Sequence, residues 1–172
     1  MSVLEGSSIL VTGGTGSFGR AFISEVLAHH NPRRVAVFSR DELKQYEMKQ
    51  HFPNDDRIRF FLGDVRDRER LRMAMNGVDY VVHAAALKQV DTAEYNPMEF
   101  VRTNILGSEN VLTTAIDDGV KKVVPIDGQS LLPGQPVWRN EVDRGQAFHF
   151  GKPLLLRTRN QIRRGAVRQC DG

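Results

Sequence analysis

The chain has 172 residues, a net charge of +3, 40% hydrophobic and 26% charged residues, and one cysteine. That length suits a single domain of ~100–200 residues with enough chain to bury a core. No apolar run is long enough to span a bilayer, no basic-then-apolar leader opens the chain, and Cys170 alone cannot form an internal disulfide, so a cytoplasmic protein outside the membrane is expected.

In chain order, "SSILVTGG" (Ser7–Gly14) is an apolar run ending in glycines and reads as a buried strand. "SFGRAFISEVLAHH" carries Phe18, Phe22, Val26 and Leu27 at helical spacing. "RRVAVFSR" is a second strand. "DELKQYEMKQHF" opens with acids, as a helix N-terminus prefers, and places Leu43, Tyr46 and Met48 as its apolar residues. "IRFFLGD" is a third strand, "RDRERLRMAM" a charged short helix and "DYVVHAAA" a fourth strand. "NPMEFVRTNILGSENVLTTAIDDG" reads as one long helix with Val101, Ile105, Leu112 and Ile116 on one face, Pro97 in its first turn and Gly119 as its stop. "KKVVPI" is the fifth strand. Apolar strands alternating with helices predict an α/β fold, a Rossmann-type doubly wound parallel sheet covered on both faces.

"VTGGTGSFG" joins the first strand to the first helix. Gly14-x-Gly16-x-x-Gly19 has dinucleotide-loop spacing, and Gly13-x-x-Gly16-x-x-Gly19 overlays it. Such a loop needs a tight turn, backbone approach to a pyrophosphate and close helix–strand packing, and the helix N-terminus then faces the phosphates. The alternative is a glycine-rich turn used only for packing.

The end of the second strand selects the cofactor. An acid there suits the ribose 2′-OH of NAD, and an Arg accommodates the 2′-phosphate of NADP. This chain reads Ser39-Arg40-Asp41, with Lys44 one turn on. Ser39 and Arg40 favour NADP. Asp41 dissents unless it caps the following helix. Asp64, ending the third strand, either accepts from an adenine amino group with Val65 against the ring or is a structural strand-end Asp. The run Ala84-Ala85-Ala86 permits close ligand approach at the carboxyl end of the fourth strand. Lys88 then either binds a phosphate, ribose or substrate or is an exposed loop lysine. The histidines have no metal-ligand spacing, so no metal site is expected.

"VTGGTGSFG", "SRDELKQYEM", "GDVRDRERL", "VVHAAALKQVDTAEYNPMEFVRTNILGSENV" and "GVKKVVPI" together resemble the extended short-chain dehydrogenase/reductases. Within that group they resemble the inverting UDP-N-acetylglucosamine 4,6-dehydratases and related capsular-polysaccharide enzymes. The resemblance runs over about residues 7–126. It implies NADP held by the loop residues Gly13, Thr15, Gly16, Ser17, Phe18 and Gly19, by Ser39, Arg40, Asp41, Glu42, Leu43 and Lys44, and by Asp64, Val65, Ala84 and Lys88. It implies a UDP-sugar near Lys88 and "AEYNP", a homo-oligomeric full-length enzyme, and no nucleic-acid partner. The family usually has His at Gln89 and Pro at Asp91. The implied reaction takes hydride from the sugar C4, eliminates water across C5–C6 and returns hydride to C6, with a Tyr-x-x-x-Lys pair and a Thr-Asp-Lys segment as acid–base groups. A non-catalytic NADP-binding module, or a nucleotide-sugar 4-epimerase, is the alternative.

At residue 127 the composition breaks. Residues 1–126 hold 16 basic and 17 acidic residues, and residues 127–172 hold 8 and 4, seven of the basic ones Arg. The family continues the fifth strand with Ser-Thr-Asp-Lys-Ala and then Tyr-Gly-Ala-Thr-Lys. Neither occurs, and no tyrosine follows Tyr95. Possible codons for Ile126 onward, read from each second base, permit Ser-Thr-Asp-Lys-Ala over "IDGQSL". In the same frame "VWRNEV" permits Tyr-Gly-Ala-Thr-Lys and "GQAFHFGKP" permits Asp-Lys-Leu-Phe-Ile-Leu-Ala-Asn. One constant offset recovers these segments in order. The expected organisation is an NADP-binding domain over 1–126 and an irregular, out-of-frame tail over 127–172, with no catalytic residue in the chain.

Overall fold

The computed structural model describes residues 3–126. The tail expected over 127–172 lies outside the described residues. Five strands, β1 (Ser8–Thr12), β2 (Arg34–Ser39), β3 (Ile58–Leu62), β4 (Tyr80–His83) and β5 (Lys122–Pro125), form one sheet in the order β3-β2-β1-β4-β5. Every pairing is parallel. The chain winds outward from β1 through β2 to β3 and then crosses to β4 and β5. This is the doubly wound Rossmann-type sheet that the alternating pattern predicts.

Period-two alternation divides the core between the two faces of the sheet. Ile9, Val11, Val35 and Val37 pack with Ile23 and Val26 of α1 (Ser17–His29) and with Met48 of α2 (Glu42–Gln50). Leu10, Ala36, Phe38 and Val81 pack on the other side with Leu71, Ala74 and Met75 of α3 (Arg68–Met75) and with Val111 and Ala115 further along the chain. All five residues of β1 are buried, as befits the central strand. Asp41 and Asp67 cap α2 and α3, each accepting from the amide three residues on at 3.0 Å. No described helix is long and apolar enough to cross a membrane.

The segment after β4 departs from expectation in two ways. Part of the stretch read as a loop forms a short helix, α4 (Val90–Tyr95). The single long helix expected from Pro97 is instead α5 (Pro97–Phe100), a π-helical turn over Val101–Leu106 and α6 (Gly107–Asp117). Its buried residues are Thr103, Gly107, Val111, Thr114 and Ala115, whereas Val101, Ile105 and Ile116 are 36%, 61% and 45% exposed. Of the expected face only Leu112 packs against the core. The reason is proximity. A Cβ on Gly107 would stand 2.7 Å from Val65 Cγ2, so the inner stripe is built from small residues while the larger apolar ones point out. In α2, likewise, Leu43 and Tyr46 are exposed and Gln45 is buried beside Met48.

Candidate functional site

A cleft of about 300 Å³ opens at the carboxyl ends of β1, β2, β3 and β4. This is where an open α/β sheet binds ligands, beside the point where the strand order reverses. Its walls include Gly13, Thr15, Gly16, Ser39, Arg40, Asp41, Lys44, Asp64, Val65 and Ala84 among the predicted residues. Ser17, Phe18, Gly19, Glu42, Leu43 and Lys88 lie outside those walls. Phe18 stacks on Phe22 with ring centres 5.8 Å apart, Lys88 is exposed, and Gly19 packs against Gly14. Phe38, Gly63, Leu87 and Thr103 also line the cleft, and nothing in the sequence singles them out as site residues.

The glycine loop is shaped by close approach. Gly13 has φ +67°, and a Cβ there would meet the Ala84–Ala85 backbone at 2.7–2.8 Å. A Cβ on Gly19 would lie 2.5 Å from the Gly14 backbone, so the helix could not seat against the turn. Unlike α2 and α3, α1 has no side-chain cap, which leaves its first-turn amides to water or an anion.

At the end of β2, Asp41 is occupied. Its Oδ1 caps α2 by accepting from the Lys44 amide, and its Oδ2 pairs with Lys44 Nζ at 3.3 Å. The Lys44 backbone bond, foremost, holds the carboxyl below its usual range. Asp64 is engaged by Arg66, whose Nε and Nη2 donate to Oδ2 at 3.0 and 2.7 Å, and by the Arg66 amide. Burial opposes ionisation of Asp64 most strongly, but the Arg66 bonds and the Arg66 and Arg40 charges outweigh it, and its pKa falls. Arg40 stands 3.9 Å from Asp64, a loose pair beside the Arg66 fork. Arg66 also reaches Glu99 at 2.7 Å, and Asn110 donates to the Val65 and Arg66 carbonyls, so the loop after β3 is tied to α5 and α6.

The loop after β4 is held by a relay. Thr12 Oγ1 lies 2.6 Å from His83 Nδ1, His83 Nε2 lies 2.9 Å from Ser108 Oγ, and Ser108 donates to the Asn104 carbonyl. That donation makes Ser108 the acceptor of the Nε2 proton, and because burial keeps the imidazole neutral near pH 7, Thr12 donates to Nδ1. Asn104 then clamps Leu87 through both its amide hydrogen and its carbonyl. The π-helical turn thus carries both Asn104, which holds Leu87, and Thr103, which lines the cleft. The only sequence signal for this relay is His83 ending an otherwise apolar strand.

Burial lowers the His83 pKa to about 4 from 6.5. The folded value is depressed, so the contribution is full above pH 6.5 and is lost as pH falls from there through about 4. Unfolding free energy should fall by about 3 kcal/mol across that window. The urea midpoint at pH 7 and pH 5 checks this, and His83→Gln should flatten the difference. Thr103 Oγ1 is buried without a partner among the described residues. Thr103→Val should therefore stabilise the free chain by about 1 kcal/mol, read as a higher melting temperature.

The family described as polysaccharide biosynthesis protein matches residues 9–129. An inverting UDP-N-acetylglucosamine 4,6-dehydratase from Campylobacter jejuni is 50% identical over 124 residues, which is 72% of this chain and 37% of that one. A UDP-glucose 4-epimerase from Rickettsia prowazekii is 48% identical over 120 residues, 68% of this chain and 35% of that one. Among solved structures, Pen from Bacillus thuringiensis is 42% identical with a TM-score of 0.70, covering 73% of this chain and 38% of that chain. A dTDP-glucose 4,6-dehydratase from Streptomyces venezuelae, solved with NAD bound, is 34% identical with a TM-score of 0.62, covering 67% and 38%. The chain therefore spans little more than a third of the length of these relatives. The glycine loop, the cleft beyond the strand ends and a match covering most of the described residues lead to one conclusion: this chain belongs to the family described as polysaccharide biosynthesis protein.

Proposed function

We propose that residues 1–126 are the NADP-binding part of an inverting UDP-N-acetylglucosamine 4,6-dehydratase, a lyase of nucleotide-sugar biosynthesis. A cytoplasmic location and a homo-oligomeric full-length enzyme belong to the same reading. The observation that carries the cofactor choice is the engagement of Asp41. The acid that would have served a ribose 2′-OH is spent on capping α2 and pairing with Lys44, while Ser39 and Arg40 border the cleft.

The residues present fit such a dinucleotide. Gly13 and Gly16 line the cleft at the turn where a pyrophosphate would lie, the uncapped N-terminus of α1 favours its charge, and Ser39 and Arg40 supply a hydroxyl and a guanidinium for a 2′-phosphate. Thr103, buried and unpartnered, offers a further hydroxyl on the β4 side. When bound, NADP+ supplies a hydride acceptor that can return the hydride within one turnover. The Thr12–His83–Ser108–Asn104 relay holds the Leu87 backbone and with it the loop that walls this side of the cleft.

Titration with NADP+ and NAD+ tests the reading. The expected result is tighter binding of NADP+ by at least about tenfold, the worth of one charge-assisted bond. Equal or tighter NAD+ binding overturns it. The Rickettsia match supports a second reading, a nucleotide-sugar 4-epimerase. Incubating a frame-corrected enzyme with UDP-N-acetylglucosamine and UDP-glucose separates the two by product: a 4-keto-6-deoxy sugar or a C4 epimer.

A further inference from the structure

We infer that Gln45 is a positioning residue that sets Ser39 as a hydrogen-bond donor toward the 2′-phosphate of NADP, and so takes part in choosing that cofactor; the inference rests on the reading above. Gln45 is 8% exposed in a helix whose neighbouring side chains Leu43 and Tyr46 are 67% and 64% exposed. Its Nε2 lies 3.0 Å from the Ser39 carbonyl, 3.0 Å from Ser39 Oγ and 2.9 Å from the Phe61 carbonyl.

The two carbonyls can only accept, so the amide must present its nitrogen to this corner. An amide nitrogen has no lone pair to offer. Ser39 therefore cannot donate to Gln45, and its hydroxyl hydrogen must point elsewhere. Among the described residues that hydrogen has no acceptor, although Ser39 is only 8% exposed and lines the cleft beside Arg40 and Lys44. Gln45 Nε2 has two hydrogens for three acceptors, so Ser39 Oγ shares one of them and is held in place, with its own hydrogen left free for the cleft. A ribose 2′-OH would take that hydrogen in a neutral bond, and a 2′-phosphate in a charge-assisted one. A phosphate carries no hydrogen to donate at physiological pH in its dianionic form and accepts a charge-assisted bond, stronger than a neutral one.

The experiment measures NADP+ and NAD+ dissociation constants by calorimetry on the full 172-residue chain, its Ser39→Ala and Gln45→Met variants and the double variant. Ser39→Ala should weaken NADP+ about tenfold and NAD+ less than about twofold. Gln45→Met should weaken NADP+ about fivefold, and the double variant should match Ser39→Ala in its NADP+/NAD+ ratio. A merely structural Gln45 would weaken both cofactors alike and add to Ser39→Ala, which overturns the inference. Should Gln45→Met not fold, Ser39→Ala decides, because it leaves both carbonyl bonds of Gln45 in place; an unchanged ratio there overturns the inference. A wild-type chain that prefers NAD+ or binds neither cofactor removes the NADP reading and the inference together. A wild-type preference for NADP+ with unmoved variants removes the inference alone.

Discussion

The 172-residue chain should convert no UDP-N-acetylglucosamine, whereas a full-length coding sequence with two bases restored near the codons of Ile126 and Asp127 should encode an active enzyme. The expected contrast is about 10⁴-fold or more, since acid–base groups contribute ~10²–10⁴-fold each in such steps. The family's acid–base groups follow β5, and the residues after Ile126 contain neither a Thr-Asp-Lys segment nor any tyrosine. We propose that they are the active-site coding sequence read one base out of register. The constant offset that recovers the missing segments in order supports this, and so does the excess of Arg over acid beyond residue 127. Product formation by the purified chain, assayed by mass spectrometry, would sink the proposal. So would an uninterrupted reading frame through codons 120–130 that aligns with its relatives without a two-base gap.

Gly13→Val should cost roughly 2–5 kcal/mol of folding stability, a large share of the ~5–15 kcal/mol available to a typical domain. Two independent effects add at this position. The backbone sits at φ +67°, which a β-branched residue resists, and the new Cβ would lie 2.7–2.8 Å from the backbone of Ala84 and Ala85. Those neighbours are main-chain atoms at the end of β4 and cannot swing aside as a side-chain tip would. A control at Gly119, φ +70° with nothing within 4 Å of a new Cβ, should show the strain without the collision. Urea midpoints for Gly13→Val and Gly119→Val separate the two contributions. Equal losses at both sites would refute the steric part.

Much of the candidate site is legible in the sequence. Gly13 and Gly16 reach the cleft because a strand–turn–helix with that spacing has one way to fold. Ser39, Arg40 and Asp64 reach it because the carboxyl ends of parallel strands converge on one edge. Thr103 was not legible. It sits in a segment that reads as a regular helix, and its inward direction depends on the π-helical turn over Val101–Leu106. Gln45 was equally hidden, because a glutamine between Lys44 and Tyr46 looks like solvated surface until the carbonyls of Ser39 and Phe61 are found around it.

By itself the sequence determined the five strands and most of the helices, the glycine-loop spacing and the composition break at residue 127. These rest on local properties: hydrophobic period, glycine spacing and the genetic code. Tertiary structure decided which face of 97–117 turns inward and how the polar groups are paired. The face was set by how closely Gly107 approaches Val65, and the pairing by which carbonyl or carboxylate lay within bonding distance. Both are contacts between residues far apart in the chain or across a turn, and periodicity along one segment carries no record of them.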